Sequence, residues 1–182
     1  MSTVQILFLL GELVVVLGVI VYLHSVTFSL LRGAPFVPTK SADIDEILKE
    51  INLRPGMKFL ELGCGDGRVV CQAVKQYGVV GRGVDVSRLW LLFARARAQR
   101  LGIDKNVEFI HENIIRTDVA WADVIYLYMM PKFLDKHAQS IFAKCRPGTI
   151  VISYVFEIAC LTGHYKHTTK SETTYFIYKT SE

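Results

Sequence analysis

The stretch 57-MKFLELGCGDGRVV-70 decides how this chain folds. Residues 57–62 form a short, largely apolar run, the pattern of a buried strand. Residues 63–67 then place glycine at every second position, Gly63, Gly65 and Gly67. Such a turn permits φ > 0 and close backbone approach to a ligand. Residues 68–77 resume with Val69, Val70, Ala73 and Val74 apolar at helical spacing. Strand, glycine turn and helix in that order open a βαβ unit.

Downstream the alternation continues. Residues 81–86 read as a second strand and 87–101 as a helix whose Leu89, Leu92, Phe93 and Ala96 form one apolar stripe. A third strand is predicted at 107–111, a fourth at 122–128 (ADVIYLY), a helix at 132–144, a turn at Arg146-Pro147-Gly148 and a fifth strand at 149–156. A last strand falls at 173–179 (TTYFIYK). Upstream, Ser41 is the expected N-cap of a helix with Asp43, Asp45 and Glu46 in its first turn. Ile44, Ile47, Leu48 and Ile51 form its apolar face, and it ends in a Pro-Gly turn within 53–56. The chain shows no internal repeat and no low-complexity tract. The pattern predicts an α/β fold, a doubly wound, mostly parallel, Rossmann-like sheet covered on both faces.

The chemistry of the turn narrows the ligand. A dinucleotide fingerprint would need a third glycine at 68, which is Arg68, and no Gly-Lys-Ser/Thr of a P-loop follows. Glu61 precedes the turn and Asp66 lies in it. These carboxylates would repel a pyrophosphate and suit a cationic ligand, such as a sulfonium carrying an α-amino group. Asp85 ends the second strand, 22 residues after Gly63, where a carboxylate can accept both ribose hydroxyls of an adenosine. Glu112 and Asn113 follow the third strand. Asn113 either meets an adenine amino group or is a turn residue. The candidate cofactor-binding residues are Glu61, Gly63, Cys64, Gly65, Asp66, Gly67, Asp85 and Asn113.

Residues 4–31 (VQILFLLGELVVVLGVIVYLHSVTFSLL) contain one charge, Glu12. A bilayer span needs about 20 apolar residues, and a carboxyl within it costs on the order of 3 kcal/mol. Glu12 either marks a helix–helix contact or is a tolerated lone carboxyl. The run has no basic start and no A-x-A site, which disfavours a cleaved signal peptide. The expectation is a transmembrane anchor at 1–31, a Pro/Gly linker at 32–40 and a folded domain at 41–182. Arg32 and Lys40 follow the span, placing the domain on the cytoplasmic side of a single-pass protein.

All 21 Lys and Arg residues lie beyond residue 31, which leaves the folded part net positive. That charge suits lipid headgroups but is too small and dispersed to indicate nucleic acid. Arg88, Arg95, Arg97 and Arg100 fall on one predicted helix, as a solvated face or as a membrane-facing or anion-binding one. Cys64, Cys71, Cys145 and Cys160 form no C-x-x-C pair and read as small buried apolar residues in a reducing compartment. His111, His137, His164 and His167 lack ligand spacing, and no metal site is expected.

Together these residues resemble the class I methyltransferases that use S-adenosylmethionine. ELGCGDGR is similar to their first motif, GVDVS to their ribose-binding strand end and NVEFIHENI to their adenine-side strand. More narrowly, PFVPTK, LRPGMKFLELGCGDGRVV, ADVIYLYMMP and RPGTIVIS resemble membrane-anchored protein lysine methyltransferases, whose mitochondrial members modify the adenine nucleotide carrier and the ATP synthase c-ring protein. The similarity runs from about residue 35 to the end. Three features depart from that group. Ser153-Tyr154 stands where it tends to have Ser-His, Lys40 replaces a proline, and residues 157–182 leave little room for the usual helix and hairpin.

The resemblance implies S-adenosylmethionine as cofactor and a membrane protein's lysine as acceptor. Alternatives are a small lipophilic acceptor, such as a lipid or quinone, and a non-catalytic S-adenosylmethionine-binding domain. Tyr126, Tyr128, Met130 and Pro131 follow or end the fourth strand, the two tyrosines on one face. Tyr128 is the candidate catalytic residue, lining the acceptor channel, unless both tyrosines simply pack in the sheet. Pro38 and Thr39 either close over the cofactor or belong to the linker.

Overall fold

The structure is a computed structural model that describes residues 2–31, 37–163 and 165–180. Most of the linker expected at 32–40 and His164 lie outside the described residues. The chain divides into two units, Met1–Phe36 and Val37–Glu182. In the first, α1 (Thr3–Leu31) is a single apolar helix. Its segment Thr3–Leu23 is long and apolar enough to cross a membrane, by length and composition.

The second unit carries α2 (Ser41–Glu50), β1 (Lys58–Leu62), α3 (Arg68–Tyr77), β2 (Val80–Asp85), α4 (Arg88–Leu101) and β3 (Val107–His111). Two 3₁₀ turns follow, Ile114–Arg116 and Val119–Trp121. Then come β4 (Val124–Leu127), α5 (Pro131–Phe142), β5 (Ile150–Tyr154), β6 (Tyr165–Thr168) and β7 (Thr174–Lys179). The seven strands stand in the order β3-β2-β1-β4-β5-β7-β6. β3, β2, β1, β4 and β5 are parallel neighbours, and β7 runs antiparallel to both β5 and β6. Chain order reverses direction across the sheet between β1 and β4, the place where a doubly wound sheet opens a crevice for ligands.

The α/β expectation is met, with each predicted strand displaced by at most a few residues. The fourth and fifth strands are shorter than their sequence pattern suggests, because Tyr128, Val155 and Phe156 leave the ladder. Two details differ. The β6–β7 hairpin does fit after β5. Its first strand is exposed and polar, YKHT, and so carries no apolar periodicity by which to read it. Ser41 is the first residue of α2 rather than its cap, and Lys40 occupies the cap position without a side-chain bond.

Burial explains the elements. Ile44, Ile47, Leu48 and Ile51 of α2, and Val69, Val70, Ala73 and Val74 of α3, pack with Phe59, Val124, Tyr126 and Ile152 of the sheet in one cluster. Removing such side chains from water is the main stabilising term. α4 departs from expectation. Leu91, Ala94 and Ala98 are buried, whereas Leu92 and Phe93 are exposed. The helix is narrow at its sheet contact, and two alanines admit it close to Phe109 and the glycine turn. The larger stripe of Leu89, Leu92, Phe93 and Ala96 therefore turns away from the core. Cys64 and Cys71 are buried as expected, but Cys160 is exposed.

Candidate active site

Residues 63–67 join β1 to α3 at the crevice, with Gly63, Gly65 and Gly67 all at positive φ. Gly63 and Gly67 also need their missing side chains. A Cβ on Gly63 would fall 2.2 Å from Met129 Cε, and one on Gly67 2.8 Å from Phe109 Cε1 and 2.9 Å from Ala94 Cβ. The turn uses its own amides. Those of Gly63 and Cys64 donate to the Val84 carbonyl at 2.8 and 2.9 Å, and that of Gly67 to Cys64 at 2.8 Å. The Gly65 amide donates to Asp85 Oδ2 at 2.8 Å. A phosphate loop needs such donors aimed at its ligand, so the geometry agrees with the missing P-loop lysine.

Asp85 ends β2, and its other oxygen accepts from the Ser87 amide at 2.8 Å. Burial raises its pKa, against these backbone bonds. The residue is half-buried and keeps acceptor capacity toward the crevice. Ser87 caps α4 by accepting from the Trp90 amide.

The two carboxylates expected to partner a cation have different surroundings. Asp66 receives Arg68 Nε at 3.0 Å and Arg68 Nη2 at 2.8 Å, together with Arg97 Nη2 at 2.6 Å. Burial pulls its pKa up, but the Arg68 bond and the Arg97 and Arg68 charges outweigh this and hold it below the ordinary value. Its charge is directed to the two arginines that tie the turn to α4. Glu61 is buried and caps α3, accepting from the Val70 amide at 2.9 Å. It forms no ion pair among the described residues. Burial pushes its pKa well above the ordinary value, the Val70 bond opposes, and the Asp66 and Asp85 charges raise it further. A buried carboxyl in that position would be relieved by a cation.

The other predicted cofactor residues are placed as follows. The Cys64 side chain is buried, 2.9 Å from where a Gly83 Cβ would lie, so it faces the core and only its backbone borders the crevice. Asn113 is exposed, and its side chain accepts from the Ile115 amide at 3.1 Å, capping a 3₁₀ turn. The turn role competes with an adenine contact.

The acceptor side lies beyond β4 and β5. Tyr128 is half-buried, with its ring edge-on to Tyr154 at 5.0 Å and stacked on Phe156 at 6.2 Å. Between the last two, Val155 adopts φ 71°. A β-branched residue there carries about 1–3 kcal/mol of strain. The kink breaks the alternation of β5 and brings both neighbouring rings to Tyr128. Tyr126 is fully buried and shares a hydrogen bond of 2.9 Å with Thr39 Oγ1. Arg68 Nη1 donates to the Thr39 carbonyl at 3.3 Å. Val37–Lys40 thus packs on the domain rather than linking to it.

Tyr154 donates to Asp43 Oδ2 at 2.5 Å, and Ser171 donates to the other carboxyl oxygen. Burial pulls the Asp43 pKa up, and bonds from Ser171, Tyr154, Thr169 and Thr173 more than offset it, so Asp43 stays ionised. Burial and Asp43 raise Tyr154 to about 12, and burial raises Tyr126 well above its ordinary value. Both remain neutral phenols. Sequence reasoning does not single out Asp43, Tyr154 or Phe156 as site residues. The signal for Tyr154 is register, since Tyr126 pairs with Ile152, which sets Tyr128 beside Tyr154.

The arrangement fits S-adenosylmethionine. It offers a carboxylate for a ribose, a glycine turn without phosphate donors, an unneutralised buried carboxyl for the cationic end, and aromatic walls beside the place where a methyl group would be delivered.

Comparison with known proteins agrees. The family model of the ANTKMT methyltransferase domain matches residues 61–164. A protein-lysine N-methyltransferase of Saccharolobus islandicus is 26% identical over 71% of this chain and 81% of its own length. A lysine N-methyltransferase of Rattus norvegicus, named for its action on the c-ring protein of ATP synthase, is 24% identical over 76% of this chain and 66% of its own. The uncharacterized protein YjhP of Escherichia coli is 35% identical, but over only 31% of its length. This chain thus spans less than two thirds of several relatives. Among solved structures, an RNA methyltransferase from Salinibacter ruber in complex with S-adenosyl-L-homocysteine superposes with a TM-score of 0.76. It is 27% identical, over 80% of this chain and 95% of that one.

Proposed function

This chain belongs to the ANTKMT methyltransferase domain family and is an S-adenosylmethionine-dependent methyltransferase, and we propose that it N-methylates lysine side chains of a membrane protein. The observation that carries the acceptor is the aromatic wall of Tyr128, Tyr154 and Phe156 beside the glycine turn. An ammonium group gains from aromatic faces. It must lose its proton to attack, and an apolar aromatic surround favours the neutral amine. The names of the relatives from Saccharolobus and Rattus point to the same acceptor class.

S-adenosylmethionine supplies the methyl group as an activated sulfonium. In this reading Asp85 takes the ribose hydroxyls and Asn113 borders the adenine. The backbone of Gly63, Cys64, Gly65 and Gly67 bounds the methionine portion, with Glu61 balancing its charge and Asp66 holding the turn. Tyr128 accepts or donates a hydrogen bond at the incoming nitrogen and aligns it for in-line attack. The apolar Thr3–Leu23 segment supports single-pass attachment, and Lys40 with Arg32 after it supports a cytoplasmic domain. Attachment would concentrate the enzyme near a membrane acceptor.

Membrane fractions incubated with the enzyme and S-adenosylmethionine should gain one to three methyl groups on lysine of a membrane protein by mass spectrometry. Methylation confined to extracted lipid or quinone would refute the acceptor class. Tyr128→Phe is expected to lower kcat about tenfold, the effect of one lost hydrogen bond of ~1.4 kcal/mol, with cofactor affinity kept. Unchanged turnover would remove the hydroxyl from the mechanism.

A further inference from the structure

Helix α4 has two apolar faces. Leu91, Ala94 and Ala98 pack on the sheet, while Leu92 is 61% and Phe93 51% exposed. Leu89, Leu92, Phe93 and Ala96 follow i, i+3, i+4, i+7 spacing, which lines them along one side of the helix, opposite the buried face. Trp90 borders the stripe, its ring 5.7 Å from that of Phe93. A folded domain leaves such large side chains in water as a pair only where something covers them.

The charge around the stripe is of one sign. Arg88–Leu101 contains four arginines and no acidic residue. Arg97 is turned inward onto Asp66, and Arg95 donates to the Phe109 carbonyl at 2.8 Å. Arg88 and Arg100 are exposed and form no ion pair among the described residues. Leucine, phenylalanine and tryptophan on one face with arginine at its margins is the composition of a helix lying in a membrane interface. There the apolar side chains enter the acyl boundary and the guanidinium groups reach lipid phosphates. An acidic protein partner would match the arginines but not the adjoining apolar side chains. RNA would match the arginines and Trp90 but not Leu89 and Leu92.

We infer that the outer face of α4 docks on an anionic lipid surface. The stripe occupies the first turns of the helix, which start at the Asp85–Ser87 bond beside the cofactor turn. Docking therefore sets the end of the sheet that carries the active site next to the bilayer. This contact is separate from α1. Resistance of the chain to alkaline extraction tests α1, whereas the lipid contact of α4 is read directly.

Trp90 and Trp121 are the two tryptophans of the chain, so Trp121→Phe leaves Trp90 as the sole reporter. The full chain carrying that change is mixed with phosphatidylglycerol or phosphatidylcholine vesicles containing brominated lipid. Trp90 emission should shift to the blue and be quenched in phosphatidylglycerol, several-fold more than in phosphatidylcholine. Adding Leu92→Gln and Phe93→Gln should abolish the quenching while circular dichroism and S-adenosylmethionine affinity stay unchanged. Equal signals in both lipids, quenching that survives the double change, or a Trp90 response to single-stranded RNA with none to vesicles would each overturn the inference.

Discussion

Glu61 and Asp85 are the residues whose ionisation carries consequences. The folded-state pKa of Glu61 is raised, so folding favours its protonated form. As pH climbs from the ordinary glutamate value toward the raised one, ionisation costs the folded state stability, and above the raised value the loss levels off. Glu61→Gln keeps an oxygen for the Val70 amide and removes that loss. Chemical unfolding from acid to neutral pH should show a flatter stability profile in the variant. A cationic cofactor reverses the preference, so its binding should release a proton. Calorimetry in buffers of different ionisation enthalpy should detect this in the wild type and not in the variant, whose affinity falls. Equal affinity and equal proton release in both would separate Glu61 from the ligand. Asp85→Ala deletes the acceptor of the Gly65 and Ser87 amides. Such charged bonds are worth about 1.5–3 kcal/mol each. The variant should lose S-adenosylmethionine binding by titration and melt at a lower temperature than the wild type. Retained binding would move the ribose site elsewhere.

At the scale of elements, the segment before α2 is held by one side chain. Thr39→Val leaves the buried Tyr126 hydroxyl without its partner, a loss of about 1–3 kcal/mol. Thermal unfolding should register it, and Thr39→Ser should restore most of it. A melting temperature unmoved by Thr39→Val would mean that the segment is not held by this bond. Local sequence leaves Pro38 and Thr39 open between lid and linker, because a four-residue stretch has no periodicity and its anchor, Tyr126, is 87 residues away. Helix α4 carries a related lesson. Its stripe is legible as a stripe, but periodicity reports only that apolar residues share a face. Which face meets the sheet is set by the space beside Phe109 and Gly67, where Ala94 fits.

For the whole molecule, the buried apolar core runs from Ile44 to Tyr178, inside the Val37–Glu182 unit. The described side chains of α1 are exposed within their own unit. A chain of residues 37–182 should therefore unfold in one cooperative transition, at the melting temperature of the full chain in detergent. It should bind S-adenosylmethionine with equal affinity. A broad or much lower transition would show that α1 contributes to the core.

Local sequence alone determined the α/β alternation, the glycine turn, Asp85 at the second strand end and the apolar N-terminal helix. Each of these rests on spacing within a few residues, where backbone sterics and burial act directly. Tertiary structure decided the rest. It assigned Asp66 to two arginines and left Glu61 as the buried carboxyl without an ion pair. It turned Cys64 into the core, and it joined Tyr128 to Tyr154, Phe156 and, through Tyr154, to Asp43. Those outcomes depend on which strands lie side by side and on which charges share a buried volume. Both follow from packing across tens of residues, to which no local pattern gives access.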